Sequence, residues 1–116
     1  MIATCANDRT VRIWSYANNQ FKLDFTHHCG DEAYSLALHP SGFQIVVGFG
    51  EKIEMMNILD KTLVPYKSIP IKNCREISFS HGGQYFACQN AYNISVYNFY
   101  SGDSPSEFFF RNGHTN

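Results

Sequence analysis

The chain has 116 residues, of which 44% are hydrophobic and 16% aromatic, and its formal net charge is −1. That apolar and aromatic content excludes a disordered tail, and nine Lys/Arg against ten Asp/Glu with no basic run exclude a nucleic-acid footprint. No apolar run approaches the roughly 18–20 residues of a membrane helix, and no charged leader with an apolar core opens the sequence.

In chain order, residues 2–6 (Ile-Ala-Thr-Cys-Ala) are small and apolar, as in a strand covered on both faces. Asn7, Asp8 and Arg9 are turn formers, and Thr10 to Trp14 alternates again within a strand expected over 11–16, with Val11 and Ile13 on one side and Arg12 and Trp14 on the other. The pattern predicts a β-hairpin. A carboxylate between two strands needs donors, and Thr4 and Trp14 offer a hydroxyl and an indole N–H. A third strand is expected over 21–26, after the polar turn Ala17-Asn18-Asn19-Gln20.

Further along, strands are expected over 33–39, 44–49, 52–58 and 64–71, then over 74–80, 84–90, 93–99 and 107–111. Pro65 and Pro70 mark 64–71 as an edge, because proline cannot donate to ladders on both sides. The two groups superimpose. His39-Pro40-Ser41-Gly42 falls on Ser80-His81-Gly82-Gly83 at an offset of about 41 residues, within the ~40–45 of a four-stranded repeat. Ungapped, Leu38 then falls on Phe79, Val47 on Cys88, Ile53 on Ile94, Met55 on Val96 and Met56 on Tyr97. Val11, Ile13 and Trp14 fall on Ile53, Met55 and Met56. Four short strands per period correspond to one propeller blade.

The Thr4, Asp8 and Trp14 constellation resembles the WD40 repeat. In that family a structural hydrogen-bonded tetrad joins His, Ser/Thr, Asp and Trp, the His coming from a Gly-His pair ahead of the first strand. Thr4, Asp8 and Trp14 match three members, and Ser15 stands where the family usually has Asp. Gly50 and Ala91 replace the Asp in the later repeats, and Met56 and Tyr97 replace the Trp, so those repeats rely on packing alone. Gly113-His114 matches the opening of a further repeat, with His114 as its tetrad histidine.

The resemblance implies an all-β WD40 β-propeller segment of about two and a half four-stranded blades. Residues 1–28 would hold the C-terminal strands of a first blade, 29–71 a second, 72–112 a third and 113–116 the start of another. Propellers have about four to eight blades, so this chain is expected not to close a ring alone and to need further blades as partners. Glu32 to Gly42, Met55 to Leu59 and Cys74 to Gly83 narrow the resemblance to axonemal WD-repeat proteins of cilia and flagella. It then implies a non-catalytic protein–protein interaction scaffold on the axonemal cytoskeleton, supporting inner-arm dynein assembly or regulation and ciliary motility. Its partners would be dynein-arm or regulatory-complex proteins, with no nucleic acid, membrane or cofactor. The alternatives are a propeller-based enzyme domain and a general cytoplasmic WD40 adaptor.

Enzyme chemistry finds little footing. Glu32, His39, Arg75, Glu76 and His81 show no nucleophile–base arrangement, and Asp8 has no histidine in its own repeat. His27-His28-Cys29 with Asp31 and Glu32 lacks metal-ligand spacing and reads as a polar loop. Gly48, Gly50, Gly82 and Gly83 lack the strand-to-helix setting of a phosphate loop. Cys5, Cys29, Cys74 and Cys88 have no C-x-x-C spacing and read as reduced, buried thiols. Asn93-Ile94-Ser95 fits the glycosylation sequon but lies in an expected strand. The aromatic residues Tyr92, Tyr97, Phe99, Tyr100 and 108–110 read as outer-strand packing rather than a partner patch.

Overall fold

The computed structural model describes residues 1–90 and 93–101, and the backbone of residues 109–111. The described residues form strands and turns with no helix. The expected Gly113-His114 opening, Tyr92 and Phe108 lie outside the described residues.

Each sheet is antiparallel and is built from strands consecutive in sequence. The first holds β1 (Ile2–Ala6), β2 (Thr10–Ala17) and β3 (Gln20–His28). The second holds β4 (Ser35–Leu38), β5 (Gln44–Gly48), β6 (Ile53–Leu59) and β7 (Thr62–Ile69). The third holds β8 (Glu76–Phe79), β9 (Tyr85–Gln89), β10 (Asn93–Asn98) and β11 (Phe109–Arg111). Three stacked sheets without closure are the arrangement of a propeller fragment.

Two hairpins close with two-residue loops, Asn18-Asn19 and Asp60-Lys61, flanked by the pairs Ala17↔Gln20 and Leu59↔Thr62. All four loop residues have positive φ, as a type I′ turn requires. Asn and Asp tolerate that region because a short polar side chain can bond locally. The strands therefore run further than alternation alone indicates, up to the turn itself.

A β-bulge recurs one repeat apart. Ile13 pairs with Phe25 and Trp14 with Leu23, leaving Asp24 out of the ladder. Met55 pairs with Lys67 and Met56 with Pro65, leaving Tyr66 out. The second bulge adjoins Pro65, which has no N–H to give; β7 is an edge strand, as Pro65 indicated, and it ends at Ile69, before Pro70.

Two cores fill the gaps between sheets. Val11 and Ile13 of the first sheet meet Ile45, Val47, Met56 and Leu63 of the second. On the opposite face of the second sheet, Val46, Ile53 and Met55 meet Ile77, Phe86, Cys88 and Phe99. Each fully buried side chain of this size contributes roughly 1.5–3 kcal/mol. The second sheet is covered on both faces, which explains its near-continuous apolar β5, Ile45-Val46-Val47.

Candidate functional site

The hairpin β1–β2 brings only part of the Thr4, Asp8 and Trp14 constellation together. Trp14 Nε1–H donates to Thr4 Oγ1 at 3.0 Å across the hairpin. Asp8 stays apart from both. It sits exposed in the turn, accepting from Thr10 Oγ1 and, at 3.0 Å, from Arg12 Nη2. Those donors are two and four residues away in sequence, so the turn delivers them without any burial of the carboxylate. The Thr10 hydroxyl and the Arg12 guanidinium hold Asp8 below the ordinary carboxylate range. The expected donation from Thr4 and Trp14 to Asp8 is therefore not made.

The first sheet is also not covered on both faces. Ala3, Cys5, Val11, Ile13 and Phe25 look into the core. On the other face Ile2, Tyr16, Phe21 and Leu23 are 42%, 55%, 55% and 43% exposed, and Tyr16 packs on Phe21 at 4.8 Å. Register identifies this face. Ile2 is opposite Trp14 and Tyr16 opposite Phe21, as Ile45 is opposite Met56 and Ile58 opposite Leu63. Ile45, Met56 and Leu63 are 0%, 1% and 2% exposed because the first sheet covers them. In the third sheet the same positions are Phe86 and Tyr97, stacked on each other at 5.7 Å and packed against the second sheet. One sheet face is thus buried twice and left bare once.

Polar joints tie the second and third sheets. His39 is buried, and its Nδ1 accepts from the Ser41 N–H at 3.1 Å. That fixes the proton on Nε2, which donates to the Gly83 carbonyl at 3.0 Å. The imidazole stacks on Phe99 at 4.4 Å and meets the edge of Phe79 at 5.1 Å. Ser35 Oγ donates to the Cys74 carbonyl at 3.0 Å. The role of His39 was not visible in sequence, where it falls on Ser80; Ser41 is local, but Gly83 and Phe99 are brought to the ring by the fold.

A cavity of about 220 Å³ is lined by residues 27–31 together with Phe49, Lys52, Glu54, Met56 and Pro65. Burial and the neighbouring His28 lower the pKa of His27, and Lys52 pairs with Glu54 at 3.1 Å. Among the described residues no three His, Cys, Asp or Glu groups converge as metal ligands. Phe99 is core, Tyr97 packs against it and Tyr100 is exposed, so the aromatic residues divide rather than form one patch.

No protein-family model matches the chain. It is 49% identical over 96% of its length to cilia- and flagella-associated protein 57 A of Tetrahymena thermophila. It is 44% identical over 84% of its length to cilia- and flagella-associated protein 57 of Mus musculus. This chain is homologous to a segment of cilia- and flagella-associated protein 57. It spans 8% of the length of each of these relatives. Both names place the cilia- and flagella-associated protein 57 relatives in the cilium, and neither is an enzyme's name. The fold also superimposes on a putative 6-phosphogluconolactonase from Bacteroides uniformis, with a TM-score of 0.72 over 90% of this chain and 35% of that one. At 16% identity that likeness concerns the fold alone.

Proposed function

We propose that this segment is part of a WD40 β-propeller that serves as a non-catalytic interaction scaffold on the ciliary axoneme. In this reading the protein supports inner-arm dynein assembly or regulation and hence ciliary motility. The single observation that carries the scaffold reading is the bare face of the first sheet. Ile2, Tyr16, Phe21 and Leu23 occupy positions that the next two sheets bury on a preceding neighbour. Such a face is a stacking surface for one more blade, and stacked blades present their loops and rims to partners. The ciliary part of the reading is supported by the names of the relatives.

The test uses the native protein carrying this segment, in demembranated, salt-washed cilia. Retention in the axonemal pellet, and release together with inner-arm dynein at higher salt, is the expected result. Recovery in the first soluble wash, with dynein left behind, would overturn it. Leu23→Glu with Phe21→Glu places two charges on the stacking face and is expected to shift the protein into that wash.

A further inference from the structure

The loop between β7 and β8 ends in Asn73-Cys74-Arg75, and hydrogen bonds fix its course. The Asn73 N–H donates to the Gly50 carbonyl at 2.9 Å and the Arg75 N–H to the Gln89 carbonyl at 2.7 Å. Between them the Cys74 carbonyl accepts from Ser35 Oγ at 3.0 Å. Asn73 has φ 56, in the left-handed region that Asn tolerates. Cys74 is buried, and its thiol donates to the Glu76 carbonyl at 3.4 Å. The flanking side chains of Asn73 and Arg75 are exposed.

These three residues and Tyr34 line a cavity of about 430 Å³. The Tyr34 N–H donates to the Gly48 carbonyl at 2.8 Å, and the ring lies against Gly50, where a Cβ would stand 3.5 Å from Tyr34 Cε2. Among the described residues no ion pair or side-chain hydrogen bond engages the Arg75 guanidinium, the Asn73 amide or the Tyr34 hydroxyl. One exposed arginine without a partner is ordinary. Here three such groups border one concavity, and the backbone that carries them is pinned to neighbouring strands. The charges nearby select the ligand. A second cavity, about 190 Å³, has Asp31, Glu32, Glu51 and Lys52 as its ionisable lining. Lys72 offsets Glu51 at 3.8 Å. Tyr34 borders both cavities. Acids gather in the smaller, and the guanidinium stands in the larger.

We propose that the larger cavity is a docking site for an acidic segment of a partner protein, with a glutamate or aspartate side chain entering beside Arg75. The guanidinium presents a planar fork of N–H groups that matches the two oxygens of a carboxylate. The Asn73 amide and the Tyr34 hydroxyl are further donors for the same anion. The volume falls within the roughly 300–1,000 Å³ of ligand sites, more than one carboxylate fills, so the ligand is a stretch of peptide rather than a free small anion. The site is separate from the bare face of the first sheet. The scaffold reading and this one therefore fail independently.

The native protein carrying this segment is titrated into a fluorescein-labelled hexaglutamate peptide with an amidated C-terminus, and anisotropy is read. Hexaglutamine and hexalysine peptides of the same form are the controls. Binding of the hexaglutamate peptide alone, weakening as salt is raised, is the expected result. Arg75→Gln is expected to weaken it about tenfold or more. Arg75→Lys is expected to weaken it less, because an ammonium keeps the charge without the fork. Arg75 is exposed, so unchanged urea midpoints show that both variants are folded. Asp31→Asn with Glu32→Gln, in the smaller cavity, is expected not to weaken hexaglutamate binding. Absence of hexaglutamate binding, or equal affinity in Arg75→Gln and the unaltered protein, would overturn the proposal. So would equal binding of the hexaglutamine peptide.

Discussion

The imidazole of His39 and the carbonyl of Gly83 meet at 3.0 Å across the gap between two sheets. Gly83 has φ +78, and a Cβ built there would lie 2.5 Å from His39 Nε2. Two independent penalties therefore fall on one position, a left-handed backbone and a collision with a buried ring. Gly83→Ala is expected to destabilise by roughly 2–4 kcal/mol. Gly82→Ala meets nothing within 4 Å, and its φ lies outside the left-handed region, so it is expected to cost under about 1 kcal/mol. Urea midpoints of the two variants check this; equal losses would sink the account.

Ser35 and Gly48 form a second close approach. A Cβ at Gly48 would collide with Ser35 Oγ and touch Cys74 Cβ at 3.4 Å. Gly48→Ala is expected to cost roughly 1–3 kcal/mol. Ser35→Ala loses the bond to the Cys74 carbonyl and costs about 1 kcal/mol by itself. Because removing the hydroxyl also removes the collision, the double variant is expected to be more stable than the sum of the two by about 1 kcal/mol or more. A double-mutant cycle measures the coupling, and simple additivity would refute it.

The hairpin offers a clean spectroscopic test, since Trp14 is the single tryptophan. Thr4→Val removes the acceptor of the indole N–H and is expected to shift Trp14 emission and cost about 0.5–1.5 kcal/mol. Asp8→Ala leaves that bond in place and is expected to leave the emission unchanged. A shift with Asp8→Ala equal to that of Thr4→Val would restore Asp8 to the Trp14 network.

His27 gives a pH dependence with a definite sign. Its burial, reinforced by His28, lowers its folded pKa below the ordinary value of 6.5. The unfolded chain then binds the proton more readily, so stability is complete above about pH 6.5 and falls as the pH drops below it. Glu54 opposes the shift, so the dependence is shallow. His27→Gln is expected to flatten the stability curve below about pH 6.5. Chemical denaturation across that window decides, and an unchanged slope would remove His27 from the account.

Much of the strand order was legible because alternation and turn residues are local signals. Residues 2–6, 44–49 and 93–99 gave strands close to the observed Ile2–Ala6, Gln44–Gly48 and Asn93–Asn98. The repeat offset also foretold which side chains share a face, since Ile13 and Met55 both look toward the following sheet. The partners of Asp8 were misread for a physical reason. Residue types name possible donors, but they do not say whether a turn tip lies inside or at the rim. There the local donors Thr10 and Arg12 suffice without burial.

By itself the sequence determined the all-β class, the sheet order and the repeat, because each rests on periodicities of two residues and of about 41, which are written along the chain. Only the tertiary structure decided which apolar face lies bare, which histidine spans two sheets, and that Cys74 and Cys88 share one buried cluster. Those facts depend on how separate sheets stack. Residues distant in sequence become neighbours there by geometry, and no local pattern encodes the distance between them.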